Sequence, residues 1–192
     1  MMKEIIEQRI KESIITKEKI LSKIDIINQL ETISKLVIEA LNNDKKVIFA
    51  GNGGSCSDAF HLSGEFVSRF LFDRPALASI ALGANNSIVT AVGNDYSYKD
   101  VFSRELFALG NEGDIFIAIS TSGNSENIIK AIKVANDKNI TVFGFTGLGG
   151  GKMKDFCNCI CVPSSETARI QESHILLGHI LCELVEYKIF SK

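Results

Sequence analysis

Ser120-Thr121-Ser122-Gly123-Asn124-Ser125 is the stretch of this chain that decides the fold. It follows an apolar run of strand length at residues 114–119. It precedes residues 127–132, whose apolar side chains have helical spacing. The sequence therefore predicts a strand that leads through a hydroxyl-rich turn directly into a helix.

The composition of this turn predicts an anion site. The first N–H groups of a helix have no intrahelical partners, and the helix dipole favours an anion there. The hydroxyls of Ser120, Thr121, Ser122 and Ser125 can add donors at the same point. The turn has no lysine and no Walker pattern, so a phosphate monoester such as a sugar phosphate fits better than a nucleoside triphosphate. An ordinary capped turn is the alternative, because Ser and Thr are common N-caps.

Composition and charge indicate a globular protein of one domain. The chain has 192 residues, of which 45% are apolar and 23% charged, and its net charge is -2. There is no basic block, so nothing supports nucleic-acid binding through a broad positive face. No apolar run approaches the roughly 18 residues that span a bilayer, and the N-terminus lacks a signal-peptide core. We therefore expect a cytoplasmic protein that binds neither nucleic acid nor membrane.

The five cysteines do not indicate a disulfide framework, because their number is odd and no secretion signal is present. Cys157, Cys159 and Cys161 alternate along a predicted strand, so they should share one face. We expect them to be small buried hydrophobic residues under a helix. A thiolate metal site is the alternative, but the spacing is not that of a zinc knuckle or ribbon.

Strand and helix patterns alternate through residues 44–192. The predicted strands lie at 46–50, 76–82, 115–120, 140–146 and 157–162, and the predicted helices at 57–68, 103–109, 126–137 and 168–190. This alternation predicts an α/β three-layer sandwich with a five-stranded parallel sheet flanked by helices. The ligand site of such a sheet lies beyond the carboxyl ends of its strands.

Residues 1–43 are predicted to form two helices that precede this core. Their apolar residues recur at spacings of three, four and seven. The two helices carry more apolar positions than an isolated arm can bury. We expect them to pack on the body of the same single domain or on another subunit.

Gly51-Asn52-Gly53-Gly54-Ser55 is a second turn between a strand and a helix. Its glycines permit positive φ and close backbone approach, so backbone N–H groups and the Asn52 amide can meet a ligand. The turn is weak evidence alone, because tight turns of this kind often need glycine. Paired with residues 120–125, it forms half of a cleft.

Asn94-Asp95-Tyr96 is predicted to be another polar turn.

The three histidines lie in two segments of predicted helix. His61 and Glu65 are four residues apart and therefore share a helix face. Gln171 and His179 are about two turns apart with an offset of roughly 80°, so they could converge on a site beside the C-terminal helix. His174 and His179 differ by roughly 140°, so only one of them should point into a given site.

These polar residues suit two kinds of chemistry. His61, Glu65, Gln171 and His179 form a mixed nitrogen and oxygen set that is compatible with zinc. The same atoms suit acid–base catalysis, with the carboxylate as base and a histidine as acid or relay. The alternative is that each is a polar group on a helix surface or a hydrogen-bonded core histidine. Arg69 ends the helix of His61, where a solvated surface charge is the simplest interpretation.

Taken in order, these segments resemble the phosphoheptose isomerase family, which has the sugar isomerase (SIS) fold of flavodoxin-like type. The matching segments are GNGGSCSDAFH at 51–61, GEFVSR at 64–69, AVGNDY at 91–96, ISTSGNS at 119–125 and ARIQESH at 168–174, together with His179. The resemblance implies interconversion of sedoheptulose 7-phosphate and D-glycero-D-manno-heptose 7-phosphate. The product would supply heptose for lipopolysaccharide, capsule or S-layer glycan.

The resemblance also implies a role for individual residues. Glu65 and His179 would be the acid–base pair. The phosphate would be held by Ser120, Thr121, Ser122 and Ser125, with Ser55 nearby. The sugar would be bound by Asn52, Gly53, Gly54, Glu65, Arg69, Asn94, Asp95 and Gln171. Zinc, as in some relatives, would be held by His61, Glu65, Gln171 and His179.

The resemblance further implies a homotetramer whose sites are shared between subunits, which would explain the apolar N-terminal helices. Two other functions are compatible with this fold. Some close relatives are tetramers that bind the bacterial replication initiator, but they diverge at the catalytic carboxylate and histidine. A regulatory module that senses a sugar phosphate is the other. The presence of His61, Glu65, Gln171 and His179 together favours the enzyme.

Overall fold

The computed structural model describes residues 1–191. Seven α-helices and five strands lie in this part of the chain, and their bounds are as follows: α1 Met2–Leu21, α2 Ile24–Asn42, β1 Val47–Ala50, α3 Gly54–Val67, β2 Ser79–Ala81, α4 Asn86–Asp95, α5 Val101–Leu109, β3 Ile115–Ile119, α6 Glu126–Asp137, β4 Thr141–Thr146, β5 Asn158–Cys161 and α7 Thr167–Phe190. Two short 3₁₀ helices lie at Tyr98–Asp100 and Gly151–Asp155.

The five strands form one parallel sheet in the order β2-β1-β3-β4-β5. In this flavodoxin-like order the direction of winding reverses between β1 and β3, and a crevice opens at that point. Ala50 pairs with Ala118, so the turns that follow β1 and β3 leave the same edge of the sheet side by side. The predicted five-stranded parallel sheet is confirmed.

Helices cover both faces of the sheet, which makes three layers. Val47 and Phe49 of β1 face a core that α2, α3 and α7 complete. Ile48 and Ala50 face the opposite core, which α4, α5 and α6 complete. β1 and β3 are buried on both faces, as their continuous apolar sequences require in a parallel sheet.

One predicted turn is wrong. Asn94 and Asp95 are the last two residues of α4, and Tyr96 is the residue that follows it. The helix begins after Asn85, whose Oδ1 accepts a hydrogen bond from the Ser87 N–H at 3.0 Å. The polar and glycine residues around 93–96 favoured a turn in the sequence, whereas packing of the helix against the second core prevails in the structure.

Other differences concern boundaries. The second strand shrinks from 76–82 to Ser79–Ala81, because it lies at the edge of the sheet and pairs only with β1. α3 begins at Gly54 rather than residue 57, so the Gly-rich turn runs directly into its first residues. α3 also ends at Val67, which leaves Arg69 beyond the helix.

The N-terminal helices bury only part of their apolar surface. α2 buries Ile26, Leu30, Ile33 and Val37 in the first core. On α1, by contrast, the exposed fractions are 55% for Ile5, 59% for Ile6, 56% for Ile10 and 51% for Ile14. Within residues 1–191, no helix combines the length and apolar character needed to cross a membrane.

The cysteine prediction is confirmed in part. Cys157 and Cys159 do share a face, with their sulfur atoms 3.7 Å apart. They pack against the second core, but they and Cys161 are half-buried rather than fully enclosed. A short 3₁₀ helix carrying Met153 lies beside them instead of a long helix.

Candidate active site

Three side chains from two helices meet at what we call the acid–base corner, formed by His61, Glu65 and His179. The Nε2 atoms of His61 and His179 lie 2.8 Å apart, so one imidazole N–H donates to the other ring. Glu65 Oε1 lies 3.4 Å from His61 Nε2, which confirms the expected placement one turn along α3. Glu65 is half-buried while His61 is more exposed.

Close packing of α3 against α7 makes this meeting possible. Gly178 of α7 lies against Leu62 of α3, and a β-carbon at Gly178 would be 2.6 Å from the Leu62 methyl carbons. The two helices therefore approach more closely than any larger residue allows. His61 and His179 are the immediate neighbours of these two contact residues, so they are brought within hydrogen-bond distance.

The surroundings of His179 keep its ring neutral at neutral pH. Burial lowers the pKa of the His179 imidazole, the adjacent His61 lowers it further, and Glu65 opposes the change. The Phe70 ring packs against His179 with ring centroids 5.5 Å apart. A neutral imidazole can both donate and accept a proton, which a relay requires.

A cavity of about 460 Å³ adjoins the corner. Its walls are formed by Phe60, His61, Gly64, Glu65, Ser68, Arg69 and Phe70. Glu65 and Arg69 therefore line the same cavity, and Arg69 is exposed on the loop after α3. A cation at this position can bind an oxygen-rich or anionic ligand beside the carboxylate.

His174 lies in the core and not in this site. Its Nε2 donates to the Thr146 carbonyl at 3.1 Å, and its ring packs against Phe145. Burial lowers the pKa of His174 to about 4, although the hydrogen bond to Thr146 opposes this change. The prediction that only one of His174 and His179 faces the site is confirmed.

The hydroxyl-rich turn forms a compact loop before α6. Ser120 Oγ and Ser125 Oγ are 3.0 Å apart, and the Ser122 hydroxyl accepts from the Asn124 N–H at 3.1 Å. Ser125 is the N-cap residue of α6, but its side chain makes no capping bond. The hydroxyl groups and the first N–H groups of the helix therefore lie together at one point, as an anion site requires.

The loop that follows β4, at residues 147–152, supports this turn through hydrogen bonds. Thr121 O accepts from the Gly147 N–H, and Asn124 Oδ1 accepts from the Lys152 N–H. Gly123 has φ +64°, and a β-carbon there would lie against the Gly150 carbonyl. Only glycine fits this position, so the shape of the loop depends on it.

Asn52 makes a contact that the sequence did not reveal. Its side-chain amide pairs reciprocally with that of Asn127, with both N···O distances 2.9 Å, and Tyr98 donates to the same Asn52 oxygen at 3.0 Å. Asn127 is buried in the first turn of α6. The pair links the Gly-rich turn to the hydroxyl-rich turn, and its only sequence signal is a polar residue at a helical core position.

The remaining predicted residues do not belong to the corner. Gln171 lies against Gly54, where a β-carbon would be 2.5 Å from its Nε2, and Ser55 is buried next to it. Gly53 is exposed at the same turn. Asn94 donates to its neighbour Asp95 at 2.8 Å, and both are exposed at the end of α4.

The donor atoms of the corner are of the kinds that bind a metal ion, but only three side chains supply them. Two imidazole nitrogens and one carboxylate oxygen are ligands that zinc accepts. Gln171, the fourth predicted ligand, lies against Gly54 instead. Across residues 1–191, no group of three or more His, Cys, Asp or Glu side chains is arranged to hold a metal ion.

Comparison with known proteins relates this arrangement to a family. The SIS domain family model matches residues 16–147. Phosphoheptose isomerase from Aneurinibacillus thermoaerophilus is 54% identical over 190 residues, which cover 98% of this chain and 96% of that protein. Phosphoheptose isomerase from Clostridium acetobutylicum is 50% identical over 192 residues, which cover 100% of this chain and 98% of that protein.

The chain belongs to the phosphoheptose isomerase family. Solved structures of the family have the same fold. The enzyme from Neisseria gonorrhoeae superposes with a TM-score of 0.90 at 37% identity, covering 97% of this chain and 99% of that one. The enzyme from Francisella tularensis has a TM-score of 0.93 at 34% identity, covering 97% and 98%.

Membership of the phosphoheptose isomerase family confirms the resemblance seen in the sequence and identifies the chain as a sugar-phosphate isomerase. It does not favour the replication-initiator or sensor alternatives. The hydroxyl-rich loop follows the carboxyl end of β3, whereas the acid–base corner lies further along α3 and α7. Their side chains are of the kinds that anion binding and proton transfer use.

Proposed function

We propose that this chain interconverts sedoheptulose 7-phosphate and D-glycero-D-manno-heptose 7-phosphate. The observation that carries the proposal is the convergence of His61, Glu65 and His179 next to a cavity that Arg69 also lines. A ketose becomes an aldose when a proton moves from C1 to C2, and a carboxylate with a nearby proton donor can perform both halves of that transfer.

Glu65 acts on the carbon-bound proton in this mechanism. In the ketose-to-aldose direction, its carboxylate takes one proton from C1 while His179 gives a proton to the C2 carbonyl oxygen. The product of this step is a 1,2-enediol. Protonated Glu65 then returns its proton to C2, and His179 recovers a proton from the C1 hydroxyl, which becomes the aldehyde. The residues end in their starting states, and His61 orients the His179 ring through the 2.8 Å bond.

The hydroxyl-rich loop holds the phosphate. Ser120, Thr121, Ser122 and Ser125 donate to its oxygens together with the first N–H groups of α6. Asn52, Gly53, Gly54, Ser55, Asn94, Asp95 and Gln171 contact the sugar chain between the two ends. Binding the distant phosphate fixes C1 and C2 against Glu65, because binding energy far from the reacting atoms is used for orientation.

We propose further that zinc binds at the corner. His61, Glu65 and His179 would hold it, and Gln171 would join them as a neutral oxygen donor. In the zinc-bound chain, coordination would replace the His61–His179 hydrogen bond. The metal would then polarise the sugar carbonyl in place of the His179 proton, and the base would be a Glu65 oxygen that does not hold the metal. The test with a readout other than activity is metal content and thermal stability before and after dialysis against a chelator. Zinc retained by the wild-type chain and lost in His61→Gln is expected, and equal content in both would contradict this ligand set.

The proposal includes a homotetramer in the cytoplasm that supplies heptose for lipopolysaccharide, capsule or S-layer glycan. The exposed isoleucines of α1 support the assembly, because four large apolar side chains on one helix are costly to leave in water. Light scattering of the purified protein at several concentrations tests this part. A mass of four chains is expected, and a monomer at all concentrations would contradict it.

Incubation of the purified protein with sedoheptulose 7-phosphate, followed by NMR, tests the central reaction. We expect the aldehyde-derived anomeric signals of the aldoheptose 7-phosphate to appear and reach equilibrium from either direction. A folded protein that binds the sugar phosphate without converting it, with or without added zinc, would contradict the proposal and favour a binding function.

A further inference from the structure

Arg74 and Glu186 form a buried ion pair that the proposed chemistry does not use. Arg74 Nε lies 2.9 Å from Glu186 Oε1, and the two side chains are only 2% and 1% exposed. Removing two charges from water is costly, so such a pair is weak evidence for stability by itself. Its hydrogen bonds to the backbone show what the pair holds in place.

The guanidinium of Arg74 binds the C-terminal end of α3. Nη2 donates to the carbonyl of Glu65 at 2.7 Å, and Nη1 donates to that of Phe66 at 2.7 Å. These carbonyls lie in the last turn of the helix, where intrahelical donors are missing. Nη1 also reaches the carbonyl of Ser68 at 3.3 Å. Arg74 therefore fixes the backbone of the proposed base itself.

The carboxylate of Glu186 binds the loop that follows α3. It accepts from the N–H of Phe70 at 2.8 Å and from that of Leu71 at 2.6 Å. Burial alone would raise the pKa of Glu186, but these two N–H groups and Arg74 outweigh it and hold the pKa below its usual value. The carboxylate is therefore ionised at neutral pH and accepts all of these bonds.

Glu186 also connects this loop to the helix of His179. The two residues are seven apart on α7, which is about two turns with an offset of roughly 20°, so they lie on one helix face. Phe70, whose N–H is held by Glu186, packs its ring on His179. Arg69 lies between Ser68 and Phe70, both of which the ion pair holds.

We propose that the Arg74–Glu186 pair positions the acid–base corner: it fixes the backbone of Glu65, the ring of Phe70 against His179, and the short loop that carries Arg69. The proposal rests on the isomerase function described above. Neither residue lines the cavity, so both act through the residues that do.

The experiment replaces the pair by uncharged side chains of similar length, in the double variant Arg74→Met/Glu186→Met. A buried ion pair can often be exchanged for apolar residues without loss of the fold. The matched control is Lys46→Met/Asp114→Leu. Lys46 and Asp114 also form a largely buried pair, with Nζ and Oδ2 2.6 Å apart, and Asp114 also accepts from two backbone N–H groups. This pair lies at the amino ends of β1 and β3, and neither residue lines the cavity.

Three quantities are measured for both double variants: kcat and KM for sedoheptulose 7-phosphate, binding of inorganic phosphate, and backbone amide exchange. For Arg74→Met/Glu186→Met we expect kcat to fall about 10- to 100-fold, since small displacements of reacting groups have effects of this size. Phosphate binding should be unchanged. Amide exchange should accelerate at residues 65–71 and not across the whole sheet. The control variant should keep its kcat.

A merely structural pair would give a different pattern. If kcat of the Arg74→Met/Glu186→Met variant equals that of the control, and its exchange changes uniformly, the proposal is wrong. If the double variant does not fold, Arg74→Lys serves instead, because lysine keeps the charge but has three donors rather than five. Arg74→Lys should show the same local exchange and a smaller fall in kcat, and wild-type values of both would also overturn the proposal.

Failure of the isomerase function gives a separate result. In that case the wild-type chain itself does not convert the sugar phosphate. Amide exchange at residues 65–71 then still decides the positioning role, because it needs no substrate.

Discussion

Gly178 on α7 lies directly against Leu62 on α3, with no space for a β-carbon between the two helices. The contact sets the distance between the helices that carry His61 and His179. A small residue at position 178 therefore allows the two histidines to meet.

Gly178→Ala should therefore separate the two helices. We expect a loss of about 1–3 kcal/mol in the free energy of unfolding, as overpacking typically causes. Turnover should fall as well, because separating the helices would lengthen the His61–His179 hydrogen bond. Gly93→Ala on α4 is the control, since its β-carbon meets nothing within 4 Å. Urea unfolding and kcat check both, and equal effects of the two substitutions would show that the close approach is unimportant.

The hydroxyl-rich loop should discriminate between phosphorylated and free sugars. We expect sedoheptulose without its phosphate to react at least about 100-fold more slowly in kcat/KM, since it forgoes the orientation that the phosphate supplies. Gly123→Ala should reduce this preference, because a β-carbon there meets the Gly150 carbonyl and displaces the loop. Comparable rates for both sugars with the wild-type chain would refute the role of the loop.

The buried His174 predicts a particular dependence of stability on pH. Its pKa is lowered to about 4 in the folded chain, whereas the unfolded value is near 6.5. The unfolded state therefore binds more protons between these values. Stability should be complete above pH 6.5 and decline as pH falls toward 4, by at most about 3 kcal/mol from this group.

His174→Gln isolates this contribution. Protonation of carboxylates also destabilises the protein in acid, but it affects the wild type and the His174→Gln variant alike. The difference in unfolding free energy between wild type and His174→Gln should therefore change across pH 4–6.5 and become constant above it. A difference that is independent of pH would mean that His174 is not buried in its neutral form.

The Asn52–Asn127 amide pair should be required for both turns at the crevice. Asn127→Ala leaves the Nδ2 of the half-buried Asn52 without its partner, and we expect a loss of about 1–3 kcal/mol. Tyr98→Phe removes only one bond to the same Asn52 oxygen and should cost about 0.5–1.5 kcal/mol. Thermal or urea unfolding of both variants checks the order, and the reverse order would place the main support of Asn52 at Tyr98.

Much of the fold could be predicted from the sequence, because the periodicity of apolar residues is a local signal. The strand at residues 115–120 and the helix at 126–137 are clear for that reason, and both match the structure to within a residue. The helix at Asn86–Asp95 was missed, because its C-terminal polar residues resemble a turn when tertiary packing is ignored.

The site shows a similar division. His61 with Glu65 could be placed on one helix face from spacing alone. The angular offset predicted that only one of His174 and His179 faces the site, and the role of His179 came from the family resemblance. The contacts with Asn127, Arg74 and Glu186 could not be predicted in this way. They join residues 75, 8 to 9, and 112 to 116 positions apart, and such partners depend on how the elements pack.

The central claim is that Glu65 moves a carbon-bound proton between C1 and C2 of a sugar phosphate. The most direct test follows sedoheptulose 7-phosphate by NMR in D₂O with the wild-type chain and with Glu65→Gln. We predict conversion to the aldoheptose phosphate by the wild type, accompanied by some deuterium at carbon, and a rate roughly 10²- to 10⁴-fold lower in Glu65→Gln with phosphate binding intact. Wild-type turnover in the Glu65→Gln variant would contradict the account.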